Sequence, residues 1–364
     1  MMKSIYVITG VAVIAIVGIL IFANNHLGGN FQTPTQNIQA KAIATKASTN
    51  DVVPEDKIVG GGPPKDGIPS IDNPKFVTAK DADFLANDDV VIGLRLNNVT
   101  KAYPLSILVW HEIVNDKLGD TPVSVTYCPL CFTSEVFLRK INGSEVEFGT
   151  SGKLYNSNLV MYDRYTDSLW SQALGKGISG NLAGYELEKL PFDIAKWSDW
   201  KTLYPETLVL SKDTGFQRPY GTDPYGNYYT DPQIIFPVEN KDNRLHPKEI
   251  IFGLYVDGSY RAYKLNDLES KKLVNDVLAS KNILLVSLYP EMARAFDRQV
   301  DGRVLDFTYS NGVITDKQTN SQWNFEGKAI AGPLQGKKLE RIVINPGFWF
   351  EWAAFHPKTE IYSG

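Results

Sequence analysis

Residues 92–108, IGLRLNNVTKAYPLSIL, and residues 252–268, FGLYVDGSYRAYKLNDL, align without a gap, and this self-match predicts a chain built from two related halves. Outward from it, Val114-Asn115-Asp116 pairs with Val274-Asn275-Asp276. After short gaps Phe137 pairs with Phe296, Gly143 with Gly302, Gly152 with Gly312, Asp163 with Asp316, Trp170 with Trp323, Gly180 with Gly332 and Trp200 with Trp352. Tyr204-Pro205 is answered by His356-Pro357. Two units of roughly 115 to 130 residues, about 88–210 and 248–364, are too long for solenoid repeats and fit a domain duplication.

Inside each unit the apolar pattern alternates over short runs, as in Val90 to Leu96, Val123 to Tyr127, Ser134 to Lys140 and Val146 to Phe148, which predicts strands. Asn142-Gly143, matched by Asp301-Gly302, signals a tight hairpin, because both central positions of that turn need positive φ. A second turn is expected at Asp163 to Asp167. Pro104 to Asn115 carries a helical stripe at Leu105, Leu108, Val109 and Ile113, and Ala195 to Leu203 reads as a short helix. The expected fold class is mainly β (α+β): two tandem, related β-rich barrel or sheet repeats with short helices, after an N-terminal transmembrane helix.

That helix is read from Ser4 to Ala23, twenty uncharged residues whose helical rise would cover about 30 Å, one bilayer core. The run exceeds a signal-peptide apolar core, and Phe22-Ala23-Asn24 lacks a small-x-small cleavage pattern, so an uncleaved anchor is expected. Lys3 precedes the span and the next cation is Lys41, which predicts a cytoplasmic N-terminus and an extracytoplasmic body. The division expected is an anchor over 1–23, a polar flexible linker over 24–58, a first repeat over 59–212, an aromatic connector over 213–247 and a second repeat over 248–364. Gly60 to Pro74, rich in Gly and Pro, is expected as irregular chain laid over the first repeat.

With 43% hydrophobic and 12% aromatic residues the chain is not a disordered one. Its net charge of -4, with both signs interspersed, gives no footprint for a nucleic-acid backbone. Asn98-Val99-Thr100 and Asn142-Gly143-Ser144 are glycosylation sequons that suit an outside surface.

The two cysteines of the chain, Cys128 and Cys131, lie in Tyr127-Cys128-Pro129-Leu130-Cys131 at the end of an expected strand. Three readings are open. As a structural disulfide the pair closes a four-residue loop, worth roughly 2 kcal/mol against about 4.7 for a hundred-residue loop. As a redox pair, one thiolate attacks and the other resolves. As a soft-metal site, two thiolates and an imidazole would suit copper or zinc. The second half reads Ser287-Leu288-Tyr289-Pro290-Glu291 at the matching place, so the fold stands without the thiols there. His111, matched by Lys271, disappears together with them, which predicts a shared site of Cys128, Cys131 and His111; Glu112 is matched by Lys272. Asp163 and Trp170 recur as Asp316 and Trp323 and read as scaffold. The connector stretch Gln217 to Tyr229, QRPYGTDPYGNYY, suits the lining of a cleft.

PLSILVWHEIVND (104–116), TYCPLC (126–131), FGTSGKLYNSNLVMYDRYTDSLWSQ (148–172) and GGPPKDGIP (61–69) together make the chain resemble the family DUF3179 over most of its length after Gly60. His111, Cys128, Cys131 and Asp163 match the family pattern. The resemblance implies no assigned activity; some members look like selenoproteins, which favours redox chemistry over a passive bridge, and the family is familiar from archaea and marine bacteria. A glutaredoxin-like fold is rejected because Phe132 to Lys140 reads as a strand rather than a helix after the motif, and a Cys-His hydrolase lacks an orienting third group. The function expected is therefore an extracytoplasmic thiol redox protein acting on a partner protein or a small-molecule thiol, with a copper or zinc protein and a surface module with a structural disulfide as the alternatives.

Overall fold

The computed structural model describes residues 51–364; the expected anchor, and the linker as far as residue 50, lie outside the described residues. The described residues form one unit made of several small sheets joined by short helices. The expected mainly β class holds at that level. Among the described residues no helix is long and apolar enough to cross a membrane.

In the first half, one sheet runs in the order Asp193–Lys196, Val90–Leu96, Val99–Pro104, Leu208–Leu210 and Phe76–Thr78. A second joins Ile113–Leu118, Thr121–Cys128 and Thr133–Leu138. A third runs through Ile58–Gly60, Phe148–Tyr155, Asn158–Asp163, Leu169–Ser171 and Lys176–Ser179. In the second half, Asn345–Phe348, Ile250–Val256, Ser259–Lys264 and Glu360–Ile361 form a sheet in the order of the first one, without its outermost strand. Leu273–Leu278, Lys281–Tyr289 and Met292–Asp297, with Glu340–Ile342, follow the order of the second, and Phe307–Ser310, Val313–Asp316, Gln322–Trp323 and Ala329–Ala331 that of the third.

Local chemistry explains the recurrence. Asn142 and Gly143 have φ of 49° and 81°, and Asp301 and Gly302 have 50° and 77°, the positive values that a two-residue hairpin turn requires. Gly93 and Gly253 are needed for close approach: a Cβ on either would meet the Trp200 or the Trp352 ring at 2.3 Å, so each indole lies flat on strand backbone. Asp163 accepts the Trp170 indole N–H at 2.9 Å and Asp316 that of Trp323 at 2.9 Å, which satisfies a buried donor and closes the Asp163-to-Asp167 turn through Thr166.

Some expectations shift. The helical stripe from Pro104 shortens to one turn, Leu105–Leu108, because the chain reverses at Glu112 (φ 59°) and Ile113 enters a strand. The helix expected from Ala195 begins at Trp197, after a strand Asp193–Lys196. Gly152 and Gly312 are not equivalent: Gly152 sits where the register of Phe148–Tyr155 shifts, whereas Gly312 lies in the following hairpin turn, the place Asn156-Ser157 occupies in the first half. The extra residues of that first hairpin hid the offset.

The halves share buried surface. One core cluster contains Trp197, Trp200 and Val209 together with Leu284, Phe296, Phe307 and Trp323. Asp193 of the first half is buried against Arg294 of the second, whose guanidinium reaches it at 3.0 and 2.7 Å, and Arg341 completes the triad. Gly60 to Pro74 does lie along the first half, with Asp66 N on Thr150 O and Ile71 N on Ile113 O, both at 2.9 Å.

Candidate functional site

Cys128 ends the strand Thr121–Cys128 opposite Thr133, and the intervening Pro129-Leu130-Cys131-Phe132 makes a tight reversal in which Cys131 N donates to Cys128 O at 3.2 Å and Phe132 takes φ 55°. No helix follows the motif; Thr133–Leu138 is a strand, as the alternation predicts. Both thiols turn towards one backbone carbonyl. Cys131 Sγ donates to Ser157 O at 3.0 Å and Cys128 Sγ stands 4.0 Å from the same oxygen. Asn156 and Ser157 hold φ of 50° and 64° in the hairpin turn, and this places the Ser157 carbonyl under the cysteine loop. Burial, first of all, pushes the Cys131 thiol well up, and the neighbouring Cys128 adds to the shift. Cys131 is therefore a thiol that stays protonated at neutral pH.

Three elements of the second half and the connector clasp the loop. Phe348 N donates to Cys131 O at 2.8 Å, Tyr228 Oη donates to Leu130 O at 2.8 Å, and Lys248 Nζ donates to Tyr228 O at 2.6 Å and Asp231 O at 2.9 Å. The ammonium also lies 3.3 Å from the centre of the Tyr228 ring. Burial lowers Lys248 to about 8, with Asp231 and Cys131 opposing the drop. The connector is thus core rather than open cleft: Tyr225, Tyr228 and Tyr229 pack with Cys128, Cys131 and Phe348.

His111 is fully buried with both ring nitrogens engaged, Nδ1 with Pro69 O at 2.7 Å and Nε2 with Tyr220 Oη at 2.6 Å. Burial lowers its pKa to about 4, with the Pro69 carbonyl opposing and Arg218 adding to the drop, so the ring is neutral at pH 7. It pins two irregular segments, Gly60 to Pro74 and the connector, to the first half. The cysteines come together at Ser157; His111 spends its nitrogens elsewhere. A three-ligand copper or zinc set is not assembled from these residues, and among the described residues no group of three or more His, Cys, Asp or Glu is arranged to hold a metal ion. Asp163 is scaffold, its carboxylate filled by Thr166 and Trp170.

Sequence reasoning passed over Lys248, Glu135, Glu351 and Ser157. Lys248 bonds to backbone carbonyls, which leave no signature in the connector sequence, and Glu135 and Glu351 meet only across the two halves. Burial pushes Glu112 and Glu351 each up to about 8 from 4.5. Both are neutral in the folded protein at pH 7 and ionised in the unfolded chain. Their stabilisation is therefore complete below pH 4.5 and is lost as pH rises through about 8. His111 and His356, lowered to about 4 and about 3, act in the opposite sense and only below pH 6.5. Between pH 6.5 and 8 Glu112 and Glu351 should each lower stability by roughly 2 kcal/mol, at about 1.4 kcal/mol per pH unit, and Glu135, also raised by burial, acts in the same direction. Urea unfolding midpoints at pH 6.5 and 8.0 measure this, and Glu112→Gln should make the slope shallower.

A family model described as "Protein of unknown function (DUF3179)" matches residues 65–359. No curated protein and no solved structure matches the chain.

Proposed function

We propose, for a chain that belongs to the DUF3179 family, the function of a membrane-anchored, extracytoplasmic protein that exchanges disulfides through Cys128 and Cys131. The observation that carries this reading is the convergence of both thiols on the Ser157 carbonyl, in a loop whose counterpart Leu288-Tyr289-Pro290 has none. Cys128, at the strand end, is the attacking sulfur; Cys131, held as a protonated donor to Ser157 O, is the resolving one. His111 serves this site by fixing the first half against the connector, and Lys248 is the cation beside the loop.

The steps balance without a further reactant. Cys128 as thiolate attacks one sulfur of a partner disulfide, and the first partner thiolate leaves. Cys131 then loses its proton, bonds to Cys128 and expels the second partner thiolate; the pair is oxidised by two electrons and the partner disulfide is reduced by two. Cys128 is 1% exposed and Cys131 is at 0%, so the partner gains access by displacing the Tyr228 clasp on Leu130. The recurrent strand orders, the paired glycine-indole contacts and the two Asp-Trp bonds support the reading of the two halves as a duplication in which only one copy kept thiols. The anchor is Ser4 to Ala23, with the body outside the membrane.

Titrating the thiols of the purified full chain across glutathione redox buffers tests the reading. One intramolecular disulfide should form with a midpoint inside the range of exchange proteins. A midpoint below about −300 mV would mark a structural bridge, and stoichiometric zinc or copper in the same reduced preparation would replace the exchange reading with a metal one.

A further inference from the structure

The two halves touch each other twice through corresponding positions, and the contacts are built differently. Glu135 faces Thr126 across its strand pair, as Arg294 faces Val286; Asn345 stands opposite Gly253, as Asp193 stands opposite Gly93. Lys189 bridges Phe137, as Arg341 pairs with Phe296. His356 closes the helix Trp349–Phe355, as Tyr204 closes Trp197–Leu203. At the contact far along the chain from the cysteines, Arg294 fills the space: its guanidinium bonds Asp193 and, at 3.0 Å, the Tyr204 hydroxyl, which donates to Glu326 at 2.8 Å.

At the corresponding contact beside the cysteine loop the space is left open. Glu135 Oε1 accepts from Lys189 Nζ at 2.7 Å and from Asn345 Nδ2, while Oε2, on a side chain with no exposure, has no partner among the described residues. A cavity of about 10 Å³, room for one water, lies between Glu135, Thr133, Ala173, Asn345, Glu351 and His356. It adjoins the loop: a Cβ on Gly347 would stand 3.0 Å from Thr133 Oγ1, 3.5 Å from Glu351 Oε2 and 3.6 Å from Cys131 O. The titratable groups at it are Glu135, with Lys189 bonded to it, from the first half, and Glu351 and His356 from the C-terminal helix and its end; of Cys131 the backbone carbonyl adjoins it, while the thiol donates to Ser157 O and feels the charge of Glu351. Burial works to raise both carboxyls, Lys189 opposing it at Glu135, and His356 is neutral, stacked on Tyr260 at 4.2 Å. An unpartnered buried carboxylate oxygen costs about 1–3 kcal/mol or more, so a fold that filled the equivalent space with an arginine keeps this one open against a stability penalty.

We propose that this cavity holds a water between Glu135 and Glu351 and forms the proton-accepting site of the cysteine pair. The proposal rests on the thiol reading above. When Cys131 attacks the mixed disulfide, its proton passes by way of the cavity water to Glu135 Oε2, the Cys131–Cys128 bond forms, the bond from Cys128 to the partner sulfur breaks, and the departing thiolate recovers the proton. Glu351, hydrogen-bonded to Thr133, holds the water in place.

Stopped-flow reaction of the reduced full chain with oxidised glutathione separates two phases, mixed-disulfide formation at Cys128 and release of the second glutathione by Cys131. Glu135→Gln and Glu351→Gln keep shape and hydrogen bonding. Each should slow the second phase by at least about tenfold near pH 7 and displace its pH profile, while the first phase follows wild type, since general-base assistance is worth about 10²-fold or more. Superimposable second-phase profiles in both variants and wild type would overturn the proton site and leave the thiol reading standing. Absence of any disulfide, mixed or intramolecular, after reaction of wild type with oxidised glutathione would overturn both. If Glu135→Gln does not fold, Glu351→Gln alone decides.

Discussion

Cys128→Ser should abolish disulfide exchange outright, whereas Cys131→Ser should accumulate a long-lived mixed disulfide with the partner thiol, visible by intact-protein mass spectrometry as one added glutathione per chain. The asymmetry follows from geometry. Cys131 Sγ is committed to Ser157 O at 3.0 Å and burial keeps it protonated, so it acts second, after the Cys128 adduct has opened the loop. The effect on turnover is the largest any single side chain here should have, because no other thiol exists in the chain to substitute for either one. If the adduct accumulates on Cys128→Ser instead, the assignment of the two roles is reversed. If neither variant loses exchange, the pair is not the reacting centre.

Asp193→Asn should cost about 3–5 kcal/mol of stability, the effect expected when one partner is removed from a buried ion network and the opposing charges stay behind. Burial alone would raise the Asp193 carboxyl, but Arg294 and Arg341 outweigh it and hold it below the ordinary range. Its side chain and that of Arg294 are each 2% exposed, so water cannot replace the lost charge. Urea denaturation at pH 7 reads the loss. By contrast Arg294→Met paired with Asp193→Asn should recover part of it, since an apolar side chain of similar length leaves one fewer charge unsatisfied. Equal stability of Asp193→Asn and wild type would show that the contact between the halves is held by the shared apolar core alone. The contact matters for the site as well: the same approach of the two halves carries Phe348 N to Cys131 O and encloses the cavity beside the loop.

Particular residues show where the sequence speaks and where it stops. Asn142-Gly143 and Asp301-Gly302 announced their turns because positive φ is a property of the local backbone and of the residues that tolerate it. Asp163 and Trp170 were legible as scaffold because their partners lie three and seven residues away, within one hairpin. The helix expected after Pro104 was overextended, since the apolar stripe of Leu105, Leu108, Val109 and Ile113 meets two periodicities at once and the reversal at Glu112 is imposed by the strand pairing of Ile113 with Thr126. The match of Gly152 to Gly312 failed because a longer hairpin had displaced the true counterpart.

Legible in the residues alone were the β-rich class, the turn positions, the self-match over 92–108 and 252–268, and the confinement of the only two thiols to one half. All of these rest on short-range preference or on direct comparison of residues. The partners of those residues follow from long-range packing. His111 bonds across 42 and 109 positions, Tyr228 reaches Leu130 across 98, and Glu135 meets Asn345 across 210. Joint absence from the second half suggested that His111 sits on the sulfurs, yet a histidine can be lost together with a cysteine pair because both depend on one loop arrangement. Which polar groups become neighbours is fixed by how the sheets of two distant segments pack, and burial of that packing, rather than any local motif, sets the charge states of Cys131, Lys248 and Glu351.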